Sequence, residues 1–96
     1  MEAQLDLHEN GGTGTFYYAV DGQRQAVMDI LITDTQRLVI KHTEVAENLA
    51  GQGYGKGLVK TAAHYARQKG YRILSVCPYA KNILYRNRDE YDDILV

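Results

Sequence analysis

The 96-residue sequence predicts a single mixed α/β (α+β) domain over residues 1–96, with a mostly antiparallel sheet, one parallel strand pair and two helices. Three observations lead to this prediction. The first half of the chain is rich in β-branched and aromatic residues separated by short polar turns. A long helical pattern follows a glycine-rich segment, and a short apolar run follows that helix. A helix that connects two neighbouring strands usually joins parallel strands, so the strand before the helix and the apolar run after it are expected to be parallel.

Three strands form the predicted antiparallel meander. The first is TGTFYYAV at 13–20, and the Asp-Gly pair at 21–22 is a strong hairpin signal. The second is QRQAVMDILIT at 23–33. A polar turn at 33–36 then leads into RLVIKHTEV at 37–45, a third run of residues that favour strands.

One helix of about four turns is predicted from Tyr54 to Lys69. Its apolar and small residues recur at helical spacing and form one buried stripe, which contains Leu58, Val59, Ala62, Ala63, Tyr65 and Ala66. Gly70 follows at the position of a C-cap, where glycine is favoured because the backbone turns left-handed.

The remaining segments are short. YRILSVC at 71–77 is predicted to be a strand parallel to the one at 37–45, and Pro78 ends it. AKNILYRN at 80–87 predicts two turns of helix. The apolar residues of YDDILV at 91–96 are expected to dock as a strand or as a cover.

Composition excludes several classes of function. A net charge of −1 provides no field that attracts nucleic acid or an anionic membrane. No apolar run approaches the roughly 20 residues of a membrane span, and the N-terminus does not resemble a signal peptide, so a cytoplasmic protein is expected. The single cysteine, Cys77, cannot form an internal disulfide, and no Cys/His cluster predicts a metal site.

The segment GQGYGKG at 51–57 places glycine at every second position, directly before and within the start of the predicted helix. Each glycine in a helix costs about 1 kcal/mol relative to alanine. A tight turn or close packing on the sheet accounts for one or two of them, but not for an alternating series. An anion bound by the free N–H groups of the first helical turn accounts for the whole series, and phosphate is the expected ligand.

Spacing excludes the two common nucleotide loops. A Walker loop requires glycine five positions before Gly55 and Ser or Thr after Lys56, but the sequence has Ala50 and Gly57 there. The dinucleotide fingerprint requires glycine at 56 or 58, where the sequence has lysine and leucine.

The hexapeptide Gln52-Gly53-Tyr54-Gly55-Lys56-Gly57 resembles the Gln/Arg-x-x-Gly-x-Gly/Ala loop of the GCN5-related N-acetyltransferases, whose backbone amides bind the pyrophosphate of acetyl-CoA. Together with KHTEV, AAHYARQKG and VCPYA, in that order, it is similar to a subfamily of equally small acetyltransferase-like proteins that lack the usual N-terminal helices. The resemblance covers about residues 14–96. It departs in NILYRNRDEY, which is longer than expected and lacks the usual His-Pro.

The resemblance implies a minimal GNAT-like fold, acetyl-CoA or coenzyme A as the bound donor, and an amine acceptor. That acceptor is a small molecule or a lysine of a peptide or protein, and a homodimer can complete the site. The six loop residues would bind the cofactor, with Val45 beside the pantetheine arm. Asn82 either touches pantetheine or caps the second helix. Tyr85 corresponds to a helix tyrosine that returns a proton to the CoA thiolate, or it packs in the core, and Tyr79 lines the acceptor pocket or packs.

Acetyl transfer to an amine requires a base, because an amine with a pKa near 10.4 is neutral only about once in 2,500 at pH 7. His42 and Glu44 lie two apart on one strand, so their side chains share a face. The intrinsic pKa of histidine favours His42, and the resemblance favours Glu44. Alternatively, either one faces solvent or pairs with a surface cation.

Cys77 ends the strand that is predicted to lie beside the one carrying His42. Its thiol can accept the acetyl group first, with His42 as activator, or it can simply fill space in the core. Two functions therefore remain open at this point. One is an N-acetyltransferase that works by direct attack or through acetyl-Cys77. The other is a non-catalytic acyl-CoA-binding or protein-interaction module.

Overall fold

The computed structural model describes residues 2–8 and 12–96, and five strands within them form one sheet. The strands are adjacent in chain order: β1 (Gln4–Leu7), β2 (Thr13–Val20), β3 (Gln23–Ile32), β4 (Arg37–Val45) and β5 (Arg72–Ser75). The first three pairs are antiparallel, and β4 and β5 are parallel. The predicted mixed sheet with one parallel pair is confirmed.

The meander begins one strand earlier than predicted. β1 pairs with β2 as a short edge strand whose sequence is only QLDL, so it lacks the length and the β-branched residues that identified the others. The predicted hairpin between β2 and β3 is present. Asp21 and Gly22 both have positive φ, 53° and 77°, as a type I′ turn requires.

Helix α1 (Tyr54–Lys69) has the predicted bounds. Its buried face is built mostly from glycine and alanine with two larger residues, Leu58 and Val59, so the helix axis can approach the sheet closely. Tyr65, which was predicted in the buried stripe, is only half-buried and packs edge-on against Phe16. No helix within residues 2–8 and 12–96 is long and apolar enough to cross a membrane.

The chain after β5 forms α2 (Pro78–Arg86), α3 (Arg88–Tyr91) and a 3₁₀ turn (Asp92–Ile94). Helix α2 begins two residues earlier than predicted because Pro78 suits the first helical position, where no N–H is needed. The C-terminus docks mainly as a cover: Ile94 is buried, and Leu95 forms a single bridge to Ile73.

The helices pack on one face of the sheet. In β3, Ala26, Met28 and Ile30 are completely or almost completely buried, whereas Val27, Asp29 and Leu31 between them are partly exposed. The buried set joins α1 and α2 in one hydrophobic core. The other face of the sheet, which contains Val27 and Asp29, is called the open face below.

Gly70 ends α1 with φ 74°, and its N–H bonds the Ala66 and Arg67 carbonyls. A β-carbon at Gly70 would meet no neighbouring atom, so Gly70→Ala changes only the backbone energy. We expect a loss of about 1–2 kcal/mol in the free energy of unfolding, because alanine is unfavourable in the left-handed region. Denaturant unfolding measures this loss. Gln68→Ala, at an exposed position two residues earlier, is the matched control and should change stability little; equal stability of the two variants would contradict the cap geometry.

Candidate active site

A cleft of about 960 Å³ lies between the end of β4, the loop before α1, the first turn of α1 and one side of α2. It exists because β4 and β5 separate. Their ladder ends at the pair Ile40 and Ser75, and the N–H groups of Val76 and Cys77 both bond the Ile40 carbonyl, at 3.0 and 3.3 Å. Beyond that point β4 continues to Val45 beside β3 alone, while the other chain turns into α2.

The first two glycines of the loop, Gly51 and Gly53, have positive φ values of 79° and 86°. L-residues with side chains rarely adopt this region. These two glycines therefore turn the chain from the 3₁₀ turn at Glu47–Leu49 into α1, and Gly53 is the N-cap of the helix.

The other two glycines, Gly55 and Gly57, allow side chains to lie against the helix backbone. A β-carbon at Gly55 would overlap the Tyr79 hydroxyl and approach the ring Cζ to 2.7 Å. One at Gly57 would overlap the Tyr18 hydroxyl in the same way. Each of the four glycines thus has a local structural reason. The expectation that turn geometry and packing explain only one or two of them was wrong.

The same geometry leaves backbone N–H donors without a helical acceptor at the start of α1. No side chain caps the start of this helix. Its first hydrogen bond runs from the Gly57 N–H to the Gly53 carbonyl, at 2.9 Å. The N–H groups of residues 54–56 have no acceptor within the helix, so they are available at its positive end. Lys56 and Arg86 add two cations to the cleft lining. A phosphate-bearing group fits this donor set.

Most of the predicted cofactor-binding residues line the cleft: Val45, Gln52, Gly53, Tyr54, Gly55, Lys56 and Asn82. Gln52 also fixes the loop, because its side-chain amide donates to the Asn48 carbonyl at 3.1 Å. Gly57 lies beside the cleft, in an adjoining depression with Tyr18 and Lys60. Whether these residues bind the cofactor stays a prediction.

Cys77 is the N-cap residue of α2, and only 6% of its surface is exposed. Its Sγ lies 3.6 Å from Thr43 Oγ1, across the point where the strands separate. Burial acts to raise the pKa of the Cys77 thiol. The Ala80 N–H and the Thr43 side chain favour the charged form, and together they outweigh that effect and lower the pKa overall, as is common for a cysteine at a helix N-terminus.

The sequence had suggested that His42 lies beside Cys77, but the structure places it elsewhere. The β3–β4 pairing shifts between Asp29 and Ile30, so that Lys41 is left without a cross-strand partner. After this bulge Thr43 faces the helices, and His42 faces a depression on the open face that is also lined by Asp29 and Lys41. The prediction that His42 activates Cys77 is therefore wrong. The residue of β4 that contacts the thiol is Thr43.

Glu44 lies at the rim of the cleft and also borders a second depression with Arg24 and Val27. Val27 is its cross-strand partner, so Glu44 shares the open face with His42, as predicted from their spacing. Glu44 is exposed and is the one carboxylate among the described residues that line the cleft.

The way α2 is turned about its axis overturns the expectations for Tyr85 and Asn82. Tyr79, Asn82, Ile83 and Arg86 are spaced along one side of the helix and line the cleft. Tyr85 is 45% exposed and borders a separate depression with Leu74 and Val96, so it neither lines the cleft nor packs in the core. Asn82 is inside the helix and does not cap it, because Cys77 holds that position. Tyr79 lines the cleft, whereas the sequence did not decide between a pocket position and a packing role for it.

The sequence did not identify several residues of the cleft: Thr43, Leu49, Ala50, Gly51, Ile83 and Arg86. Thr43 carried no signal because its orientation depends on the bulge, and Ile83 and Arg86 depend on the helix phase. Within the described part of the chain, no group of three His, Cys, Asp or Glu side chains is placed to hold a metal ion.

The family model described as GCN5-related N-acetyl-transferase matches residues 15–94. No curated protein matches the chain. The structure is similar to the NMR solution structure of a GCN5-like protein from Staphylococcus aureus, with 26% identity over 99% of this chain and 89% of that one and a TM-score of 0.71. It also shares the fold of a ribosomal-protein-alanine N-acetyltransferase from Brucella melitensis, with 18% identity, coverage of 94% and 69%, and a TM-score of 0.63. Nourseothricin acetyltransferase matches at 26% identity and a TM-score of 0.55, over 67% of this chain and 41% of that one.

Gly57→Ala is expected to destabilise the fold by about 1–3 kcal/mol, because its β-carbon overlaps the buried Tyr18 hydroxyl. Tyr18→Phe removes the overlapping oxygen, so the double variant should lose less stability than the sum of the two single changes. Denaturant unfolding of the four proteins measures this coupling. Strict additivity would show that the two residues do not compete for the same space.

The pH dependence of alkylation tests the lowered pKa of Cys77, which is the only cysteine in the chain. The rate should reach half its maximum below the ordinary thiol pKa of 9.0. Thr43→Val removes a group that favours the thiolate and should move this midpoint upwards, whereas Thr35→Val, in a distant turn, should not. A wild-type midpoint at or above 9.0 would refute the assignment.

The same shift predicts how stability depends on pH. Because the pKa of Cys77 is lower in the folded state, the stabilising effect of the thiolate is fully present above the unfolded-state pKa. It is lost as the pH falls through the folded-state pKa. The difference in unfolding free energy between wild type and Cys77→Ser should therefore grow as the pH rises between these two values, and a flat difference would contradict the shift.

Proposed function

The chain belongs to the GCN5-related N-acetyltransferase family, and we propose that it moves an acetyl group from acetyl-CoA to an amine by way of Cys77. The position of Cys77 carries this proposal. Its thiol lies where β4 and β5 part, at the start of α2, with a lowered pKa and a hydroxyl beside it. A thiolate held in this way is a competent nucleophile.

The cleft supports acetyl-CoA as the donor. The diphosphate would bind the N–H groups of residues 54–56 at the positive end of α1, with Lys56 and Arg86 close by. None of the strands in residues 2–8 and 12–96 lies beside the edge of β4 from Thr43 to Val45 on the cleft side, so its backbone groups can pair with the amides of the pantetheine arm. When bound, acetyl-CoA supplies the acetyl group as an activated thioester.

In the first step the Cys77 thiolate attacks the thioester carbonyl carbon. The new bond is between Cys77 Sγ and the acetyl carbon, and the bond from that carbon to the sulfur of CoA breaks. The leaving thiolate then takes a proton from solvent. The hydroxyl of Thr43, 3.6 Å from Sγ, holds the attacking sulfur in position and stabilises its charge before the attack.

In the second step a neutral amine attacks acetyl-Cys77, forms the amide and releases the Cys77 thiolate. The attacking nitrogen has to lose one proton to become the amide nitrogen. We assign Glu44 as the acceptor of that proton because it is exposed at the rim of the cleft. The proposed acceptor is an amine-bearing small molecule or a lysine of a peptide or protein. We place this chemistry in the cytoplasm, where a free cysteine stays reduced.

Incubation with acetyl-CoA, without any amine, tests the covalent step. Mass spectrometry of the digested protein should find one acetyl group on the peptide that contains Cys77, and Cys77→Ser should lack the thioester. The matched control is Tyr85→Phe, a change on α2 away from the cleft, which should acetylate at the wild-type rate.

Addition of an amine panel to the acetylated protein should remove the acetyl group and yield acetylated amine. Turnover that persists in Cys77→Ser would favour direct attack and reject the covalent route. Tight binding of acetyl-CoA with neither acetyl-Cys77 nor release of CoA would indicate a binding module that has lost catalysis.

A further inference from the structure

Tyr79 connects the two helices that border the cleft. It is the second residue of α2, and its phenol ring reaches the first turn of α1, where the hydroxyl lies against Gly55. A β-carbon at position 55 would overlap this oxygen. The glycine therefore permits a hydroxyl group to lie directly on the backbone at the start of α1.

A second tyrosine makes the same kind of contact but differs in its surroundings. Tyr18 lies against Gly57, is only 6% exposed, and its hydroxyl is hydrogen-bonded to the Thr61 side chain. Tyr79 is 49% exposed and lines the cleft, and within residues 2–8 and 12–96 its hydroxyl has no hydrogen-bond partner. Packing and internal hydrogen bonding explain Tyr18, whereas the hydroxyl of Tyr79 faces the space that a ligand would occupy.

The cleft that Tyr79 lines contains several hydrogen-bond donors with positive charge. The first-turn N–H groups of α1 point out of the helix here, and the Lys56 ammonium and the Arg86 guanidinium line the same cleft. The one carboxylate among the described lining residues, Glu44, is on β4 and not on either helix. A ligand that satisfies these donors must bring several acceptor oxygens and negative charge.

From this arrangement we infer that Tyr79 Oη donates a hydrogen bond to the diphosphate of acetyl-CoA, an inference that rests on the proposed function. Tyr79 thereby recognises the phosphorylated part of the donor. The hydroxyl contacts the part of the donor that does not react, so it stabilises bound substrate and transition state equally. Its loss should raise the KM for acetyl-CoA and leave kcat nearly unchanged.

Tyr79→Phe tests the inference, because phenylalanine keeps the ring, the packing on Gly55 and the backbone N–H. Calorimetry with CoA should show binding weakened about tenfold or more relative to wild type, as expected for a lost hydrogen bond to a charged group. Binding of pantetheine, which has no diphosphate, should not change. Tyr85→Phe removes the phenol oxygen of a similarly exposed tyrosine on the same helix outside the cleft, and should behave as wild type with both ligands.

Thermal unfolding of Tyr79→Phe should match that of wild type, because the hydroxyl contributes no internal hydrogen bond. If Tyr79→Phe and wild type bind CoA equally, or if the variant loses affinity for pantetheine as much as for CoA, the inference is overturned while the proposed function stands. If wild type itself binds no CoA, the proposed function fails, and the role of Tyr79 fails with it.

Discussion

The site depends on one backbone group, the carbonyl of Ile40. It accepts hydrogen bonds from the N–H groups of both Val76 and Cys77, and these are the last bonds that hold the parallel strands β4 and β5 together. Because the ladder stops there, β4 keeps a free edge toward the cleft, and the neighbouring chain turns at once into α2. The proposed nucleophile is positioned by the same event, since Cys77 becomes the cap of that helix and meets Thr43 across the gap.

The start of α1 faces the same gap from the other side. Two glycines turn the chain into the helix and two more admit the phenol groups of Tyr18 and Tyr79 against its backbone. The glycine series shapes the helix start, and it leaves the first N–H groups uncapped, which our proposal assigns to ligand binding. The cost in helix propensity is offset by packing at Gly57 and, in our proposal, by ligand binding at Gly55.

Local patterns predicted most of the fold and the loop residues that line the cleft. The β2–β3 hairpin, the bounds of α1 and its cap at Gly70 follow from short-range chemistry. The orientation of side chains near Cys77 was not predictable in this way. A bulge at Lys41 decides that Thr43 and not His42 meets the thiol, and bulges leave no reliable mark in a single sequence. The orientation of α2 about its own axis decides that Tyr79 and not Tyr85 faces the cleft, and this orientation is set by packing against the rest of the fold.

The central claim is that acetyl-CoA binds with its diphosphate at the start of α1 and with its thioester where β4 and β5 separate, beside Thr43 and the Cys77 thiol. A structure of the protein with an acetyl-CoA analogue whose thioester is replaced by an unreactive thioether tests it most directly. The account predicts phosphate oxygens within hydrogen-bond distance of the N–H groups of residues 54–56 and the analogue's sulfur in contact with Cys77 Sγ. An analogue bound with its sulfur on the open face, beside His42, or away from the first turn of α1 would contradict it.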